Sequence, residues 1–264
     1  MKYFNNILSF FFCLLLGFSC TSPDESPKAL VNIFLVDAPA QWDSVVVELR
    51  GVEIEFVPSG REGQVESMFL PYEPGNKQVN VSLLVGGDIL PISRREFQIG
   101  NITKATLRLG ENNFLYQGER GYPLRLPNGQ TDFSGDLSIR LEPGISYDVI
   151  IDFDLEKSIK TTQTNPLAFS FQPTLDIYSG IGLGTVQGSI SPTTLQPAIY
   201  AIRDSDSLST HMNASGTYVF RLEPGSYTLF IDPKDEAYVA DTLLNVQVTE
   251  GQRTTADRVT LSRR

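Results

Sequence analysis

The sequence predicts an all-β protein built as two β-sandwich modules joined by a glycine-rich linker. Three observations carry that prediction. Apolar residues recur at every second position in short runs; 21 Gly and 16 Pro are spread along the chain where such runs end; helical periodicity is confined to a turn or two after Asp154. A chain of 264 residues has room for two modules of ordinary size, each with its own core. The expected division is 1–19 export signal, 20–28 tether, 29–178 first sandwich, 179–184 linker and 185–264 second sandwich.

The N-terminal segment sets the compartment. Lys2 precedes the apolar run Ile7 to Phe18, which is too short to span a bilayer and has the layout of an export signal. The chain's two cysteines are Cys13, inside this run, and Cys20, at its polar boundary, so the modules themselves hold no disulfide. Leu16-Gly17-Phe18-Ser19 before Cys20 resembles a lipoprotein signal-peptidase box, with Gly17 where leucine is usual. That resemblance implies lipidation of Cys20 and a membrane anchor on the outer membrane, facing the periplasm or the cell surface. A plain secretory signal with an incidental cysteine is the other reading. The following Thr21 to Lys28, polar and proline-rich, reads as a tether, and its Asp24-Glu25 pair resembles the surface-export signals of Bacteroidota lipoproteins.

Strand alternation begins at Leu30. Val31, Ile33 and Leu35 share one face, as do Val45, Val47 and Leu49 after a loop that contains Trp42. At Gly51 the phase slips by one residue, so that Val52, Ile54 and Phe56 become the apolar set; this predicts a β-bulge at Gly51. Further strands are expected around 79–84, 95–99, 105–109, 113–117, 137–141, 147–153 and 167–178, separated by turns such as Pro127-Asn128-Gly129. Asp154 is placed to cap the one short helix.

Val36-Asp37-Ala38-Pro39 leading into Trp42-Asp43, then Pro123 to Gly129, then Asp152 to Ile159 followed by Phe171-Gln172-Pro173, resemble in that order the bacterial and archaeal domain of unknown function 4382. The resemblance covers about Leu30 to Tyr178. It implies an exported β-rich module and no reaction or substrate.

Ser179 to Gly184 places glycine at every second position and reads as the joint. A phosphate-cradling loop would need a following Lys-Ser/Thr and a helix, neither of which is there. Beyond it, Val186 to Ile190, Ala198 to Ala201 and Gly216 to Leu229 resemble the carboxypeptidase regulatory-like modules. These are transthyretin-type sandwiches of a carbohydrate-binding-like fold class, which makes both modules immunoglobulin- or transthyretin-like in expectation. Arg221-Leu222-Glu223-Pro224-Gly225 repeats Arg140-Leu141-Glu142-Pro143-Gly144, and each string is expected to close a hairpin through a type II turn.

The formal charge of −10 becomes −11 when residues 1–19, which hold Lys2 as their one charged side chain, are removed; such a surface repels nucleic acid. Triad catalysis and zinc both need histidines or cysteines, and the single histidine, His211, falls in a polar stretch expected to be an exposed loop. Asp148, Asp152 and Asp154 alternate along one strand face, where oxygen ligands could hold Ca²⁺; a solvated face is the alternative. Trp42, Asp37 and Tyr122, in or beside loops, are the candidates for stacking on and orienting a sugar, and Tyr72 and Tyr116 lie near other loops. These features predict a non-enzymatic envelope lipoprotein that binds or displays a partner, a glycan or an envelope protein. A structural or adhesive component using sheet edges, and a hydrolase using carboxylates alone, are the alternatives.

Overall fold

A computed structural model describes residues 26–38, 42 and 44–264, without the side chains of Asp37 and Ala38. The expected export signal, Cys20 and residues 20–25 of the tether lie outside the described residues, as does the side chain of Asp37.

The first part of the chain forms β1 (Lys28–Ala38), β2 (Ser44–Pro58), β3 (Glu66–Pro71), β4 (Gln78–Asn80), β5 (Leu90–Gln98), β6 (Gly100–Leu109) and β7 (Phe114–Gln117). These are followed by β8 (Arg120–Pro123), β9 (Asp132–Leu141), β10 (Ser146–Asp154), the four-residue helix α1 (Leu155–Ser158), β11 (Ile159–Thr164), β12 (Leu167–Phe171) and β13 (Leu175–Ser179). One sheet runs β13-β10-β1-β5, and the sheet opposite runs β8-β7-β2-β6-β9, with β3 and β4 also pairing with β2. Alternation decides what lies between them: Val31, Ile33 and Leu35 of β1 and Val45, Val47 and Leu49 of β2 all point into one core. The phase slip in β2 is a bulge, for the pairing with β6 shifts between Leu49 and Gly51. Gly51 there has φ of 150°, which favours glycine.

The remainder forms β14 (Gly184–Ser191), β15 (Ala198–Arg203), β16 (Asp206–His211), β17 (Thr217–Leu222), β18 (Gly225–Asp232), β19 (Asp241–Val248), β20 (Arg253–Thr255) and β21 (Val259–Thr260). Two four-stranded sheets result, β17-β14-β20 with β21 also on β14, and β16-β15-β18-β19. They enclose a second core that includes Val186, Tyr218, Phe220, Leu229 and Ile231. The fold is therefore all-β and sandwich-like, with separate cores in its two parts.

Contrary to the sequence-based expectation, the repeated Arg-Leu-Glu-Pro-Gly string closes no hairpin in either place. β9 pairs with β6 whereas β10 pairs with β1 and β13, and β17 pairs with β14 whereas β18 pairs with β15 and β19. Each string carries the chain from one layer to the facing one. The type II turn is present in the first copy, where Gly144 has φ of 72° and the Ile145 amide donates to the Glu142 carbonyl at 3.4 Å. In the second copy Gly225 has φ of 157°, far from the roughly 80° that a type II turn needs at that position, so that corner is not a type II turn.

What the copies share is the tyrosine that follows. The Glu142 amide donates to the Tyr147 hydroxyl at 3.0 Å, and the Tyr227 hydroxyl donates to the Glu223 carbonyl at 3.1 Å, so a buried ring pins each arch. Tyr227→Phe is expected to cost about 1 kcal/mol in chemical denaturation, the worth of one such bond. No change in the unfolding midpoint would show the arch to be held without it.

Candidate functional site

The structure separates the sequence-predicted residues into two places. Trp42, between β1 and β2, and Tyr122, in β8, both meet Phe169 of β12 edge-on, at 5.0 Å and 5.4 Å between ring centres. All three rings pack against the first core, and the Trp42 indole nitrogen is buried without a hydrogen-bond partner. The Arg120 guanidinium lies 5.1 Å from the Tyr122 ring centre. These rings are core material at the margin of the sandwich rather than an open stacking platform. Asp37 lies in β1 in register with Phe153 of β10. Tyr72 is buried and Tyr116 stands in β7.

The aspartates of β10 go elsewhere and do not act together. Asp148 accepts from the Asn32 side-chain amide at 2.7 Å. Asp154 caps α1, accepting from the Lys157 amide at 2.8 Å and pairing with the Lys157 ammonium at 2.8 Å. Asp152 is buried, and one of its carboxyl oxygens, Oδ1, has no partner. Among the described residues no three His, Cys, Asp or Glu side chains converge in a metal-binding arrangement, so Asp148, Asp152 and Asp154 are not a ligand set for Ca²⁺. Nor are they a solvated face. Asp152 and Asp154 are shielded because β10 packs its other face into the first core while β16 and β17 approach from the second module.

His211 is likewise not in an exposed loop. It ends β16 at 3% exposure, and burial drives its pKa down to about 4, which keeps the ring neutral at pH 7. Its stretch reads as polar, but it pairs with β15 and lies close to Glu156 of α1.

The junction between the modules collects the groups that remain. A cavity of about 30 Å³ is walled on one side by Asp88, Asp152 and Tyr178 and on the other by Leu208, Thr210 and Arg221. Burial raises the Asp152 pKa to about 7, and the carboxylates of Asp176 and Asp154 add to the rise, against the pull of Lys157 and Arg221. Asp176 is the cross-strand partner of Asp152 on β13. The Tyr178 hydroxyl is pushed upward by burial and by Asp152. Arg221, half-buried in β17, forms no ion pair among the described residues.

Tyr178, Leu208 and Arg221 also line a groove of about 810 Å³ that runs between the modules. Its lining adds the charged Asp176, Asp206, Arg203 and Glu223 and the apolar Ile181, Leu183 and Leu222. The Arg203 guanidinium is held in place by Glu223 at 2.5 Å and lies 5.2 Å from the Tyr227 ring centre. Two guanidinium groups and three carboxylates thus line the groove, Arg203 and Glu223 being already paired with each other.

A polar clasp fixes another part of the junction. The Lys234 ammonium donates to Glu156 at 2.8 Å and to the Tyr200 hydroxyl at 3.2 Å, and it pairs with Asp232 at 3.1 Å; Tyr200 in turn donates to Glu156 at 3.3 Å. Burial opposes the Lys234 charge, but these partners outweigh it and raise its pKa. A second hollow of about 610 Å³ opens beside the clasp, lined by Lys157, Lys160 and Tyr200. Sequence reasoning missed Arg221, Tyr178, Asp176 and Lys234. Each stands on a strand or turn of one module and has part of its surroundings from the other.

The model of the family described as domain of unknown function (DUF4382) matches residues 28–173. No curated protein matches the chain. Among solved structures, the chain is similar to the Bacillus anthracis TIE protein at 9% identity and a TM-score of 0.25, over 93% of this chain and 42% of that one. It is similar to a candidate adhesin from Bacteroides ovatus at 10% identity and a TM-score of 0.25, over 93% of this chain and 98% of that one. A fimbrial protein from Bacteroides ovatus is similar at 10% identity and a TM-score of 0.22, over 89% of this chain and 50% of that one. The chain spans less than half the length of the first of these, and likenesses at such scores carry no argument about function. The family match covers more than half of the chain, and the protein belongs to the DUF4382 family.

Proposed function

We propose that this protein is a non-enzymatic component of the cell envelope, held to the membrane through lipid on Cys20, that binds a neutral glycan in the groove between its two modules. The second module, 185–264, serves in this reading as a carboxypeptidase regulatory-like sandwich that supplies half of the groove. The observation that carries the proposal is the groove itself. Its volume of about 810 Å³ suits a small ligand, and sites of this kind gather where modules meet. With two guanidinium groups and three carboxylates on its wall, it favours neither a strong anion nor a cation. A polyhydroxyl ligand uses both kinds of group, receiving bonds from arginine and giving them to carboxylates. The carboxylate pair of Asp152 and Asp176 is poorly arranged for hydrolysis, because Asp176 lines the groove while Asp152 is buried and does not.

The test is a titration of neutral oligosaccharides into the full chain in detergent micelles. At least one is expected to bind, and Asp176→Ala and Asp206→Ala are each expected to weaken it about tenfold, the loss of one charge-assisted hydrogen bond. Absence of binding at millimolar sugar would overturn the proposal, as would release of new reducing ends.

A further inference from the structure

We propose that Asp152 is the sensor of a proton-controlled junction: the two modules close on each other when its carboxyl is protonated and loosen when it is ionised. The inference starts from placement. Asp152 belongs to β10 of the first module, yet it sits in the wall of a cavity whose far side, Leu208, Thr210 and Arg221, belongs to the second. Asp152 is at 6% exposure and its Oδ1 meets no donor, so the carboxyl is shielded, in part by the second module, without being satisfied. The cavity beside it is small, about 30 Å³, so few waters reach the carboxylate.

The charged neighbours determine the sign. Asp154 on the same strand and Asp176 on β13 repel an ionised Asp152. Lys157 of α1 and Arg221 of β17 attract it, but Lys157 is already paired with Asp154. Asp88, in the loop before β5, also lines the cavity, and Tyr178 gains nothing from a second charge beside it. β1 and β16 contribute the uncharged Val36, Leu208, Ser209 and Thr210 to the walls. Repulsion and desolvation win over the two cations, and the pKa stands near 7 against 3.8 for a hydrated aspartate.

Opening the junction would hydrate Asp152 and return it toward the ordinary value. By linkage, the closed form binds the proton more tightly, so rising pH between those two values favours opening by up to tenfold per unit; above the closed-state pKa the gain stops. Acid therefore closes the junction and neutral-to-alkaline conditions loosen it. Since Tyr178, Leu208 and Arg221 belong to both the cavity and the groove, the shape of the groove follows the protonation of Asp152.

No ligand is needed for the test. Hydrogen exchange of the full chain in detergent, corrected for the intrinsic effect of pH, is followed in the two edge strands at the junction, β13 and β16, with the central strand β6 as reference. Exchange in β13 and β16 is expected to accelerate severalfold or more per unit from pH 5 to 7 and to level off above, while β6 stays constant. Asp152→Asn should give a flat profile. Arg221→Gln, which removes an attraction from the closed form, should let the rise continue past pH 7. A flat wild-type profile, equal acceleration in β6, or an Asp152→Asn profile that follows wild type would each overturn the proposal. Retention of the wild-type plateau in Arg221→Gln would remove Arg221 from it.

Discussion

Replacing Gly51 by alanine is expected to destabilise the first module by roughly 3 kcal/mol, at the upper end of what small-to-large changes cost. Two independent causes act at this position. The backbone holds φ at 150°, where side-chain-bearing residues are strained. A Cβ would also run into the Leu70 carbonyl oxygen, lie 2.8 Å from Pro71 Cα and approach the Phe69 ring. The first two are backbone atoms of β3, paired with β2 across this point, so relief requires moving a strand rather than turning a side chain. Removing the bulge is no escape, because the one-residue slip is what points both Leu49 and Val52 into the core. The change should lower the denaturation midpoint of the first module and leave the second, with its own core, near its wild-type value. A loss below 1 kcal/mol would mean that the bulge can migrate.

Asp152→Asn is expected to do the opposite and stabilise the chain at neutral and alkaline pH. The acid's pKa rises from 3.8 to about 7 on folding, so the native state binds its proton more tightly than the unfolded chain. Stability is then full below pH 4 as far as this group is concerned and falls as pH climbs toward 7, by about 4 kcal/mol at 1.36 kcal/mol per unit. Asparagine keeps the size and polarity of the side chain but never ionises. At pH 8 the variant should melt about 10 °C above wild type for a chain of this length, and at pH 4 the two should coincide. Parallel curves of melting temperature against pH would sink this expectation.

How far the sequence speaks can be judged residue by residue. Alternation placed Val31, Ile33 and Leu35 on the inner face of β1, and the slip at Gly51 announced its bulge, because both depend on the chain's own period of two. Asp154 was readable as a cap since its partner, the Lys157 amide, is three residues away. The repeated Glu-Pro-Gly strings were misread as hairpins, for the partners of β10 and β18 are chosen by layer geometry and not by the turn. Asp152 looked wet because it alternates with Asp148 and Asp154 on one strand face; what dries it is the other module, separated from it by more than fifty positions along the chain. His211 looked wet because its stretch is polar, yet it is buried at the end of β16. Trp42 and Tyr122 were chosen as loop aromatics without sight of Phe169, whose strand brings the three rings together. The candidate site escaped sequence reasoning for the same reason. Its walls are contributed by strands that become neighbours only when two finished sandwiches meet.

Strand β1 lies in the middle of its sheet, between β5 and β10, and runs parallel to the latter with Ile33 beside Val149. A chain delivered from its N-terminus onward therefore presents its first strand long before that strand's second neighbour exists. Until the segment from Ser146 arrives, Val31, Ile33 and Leu35 have one flank open, a greasy ribbon with bare amides that other chains can join. Assembly of the first sandwich must wait for its tenth strand, and the waiting strand is the one that most needs shelter from aggregation.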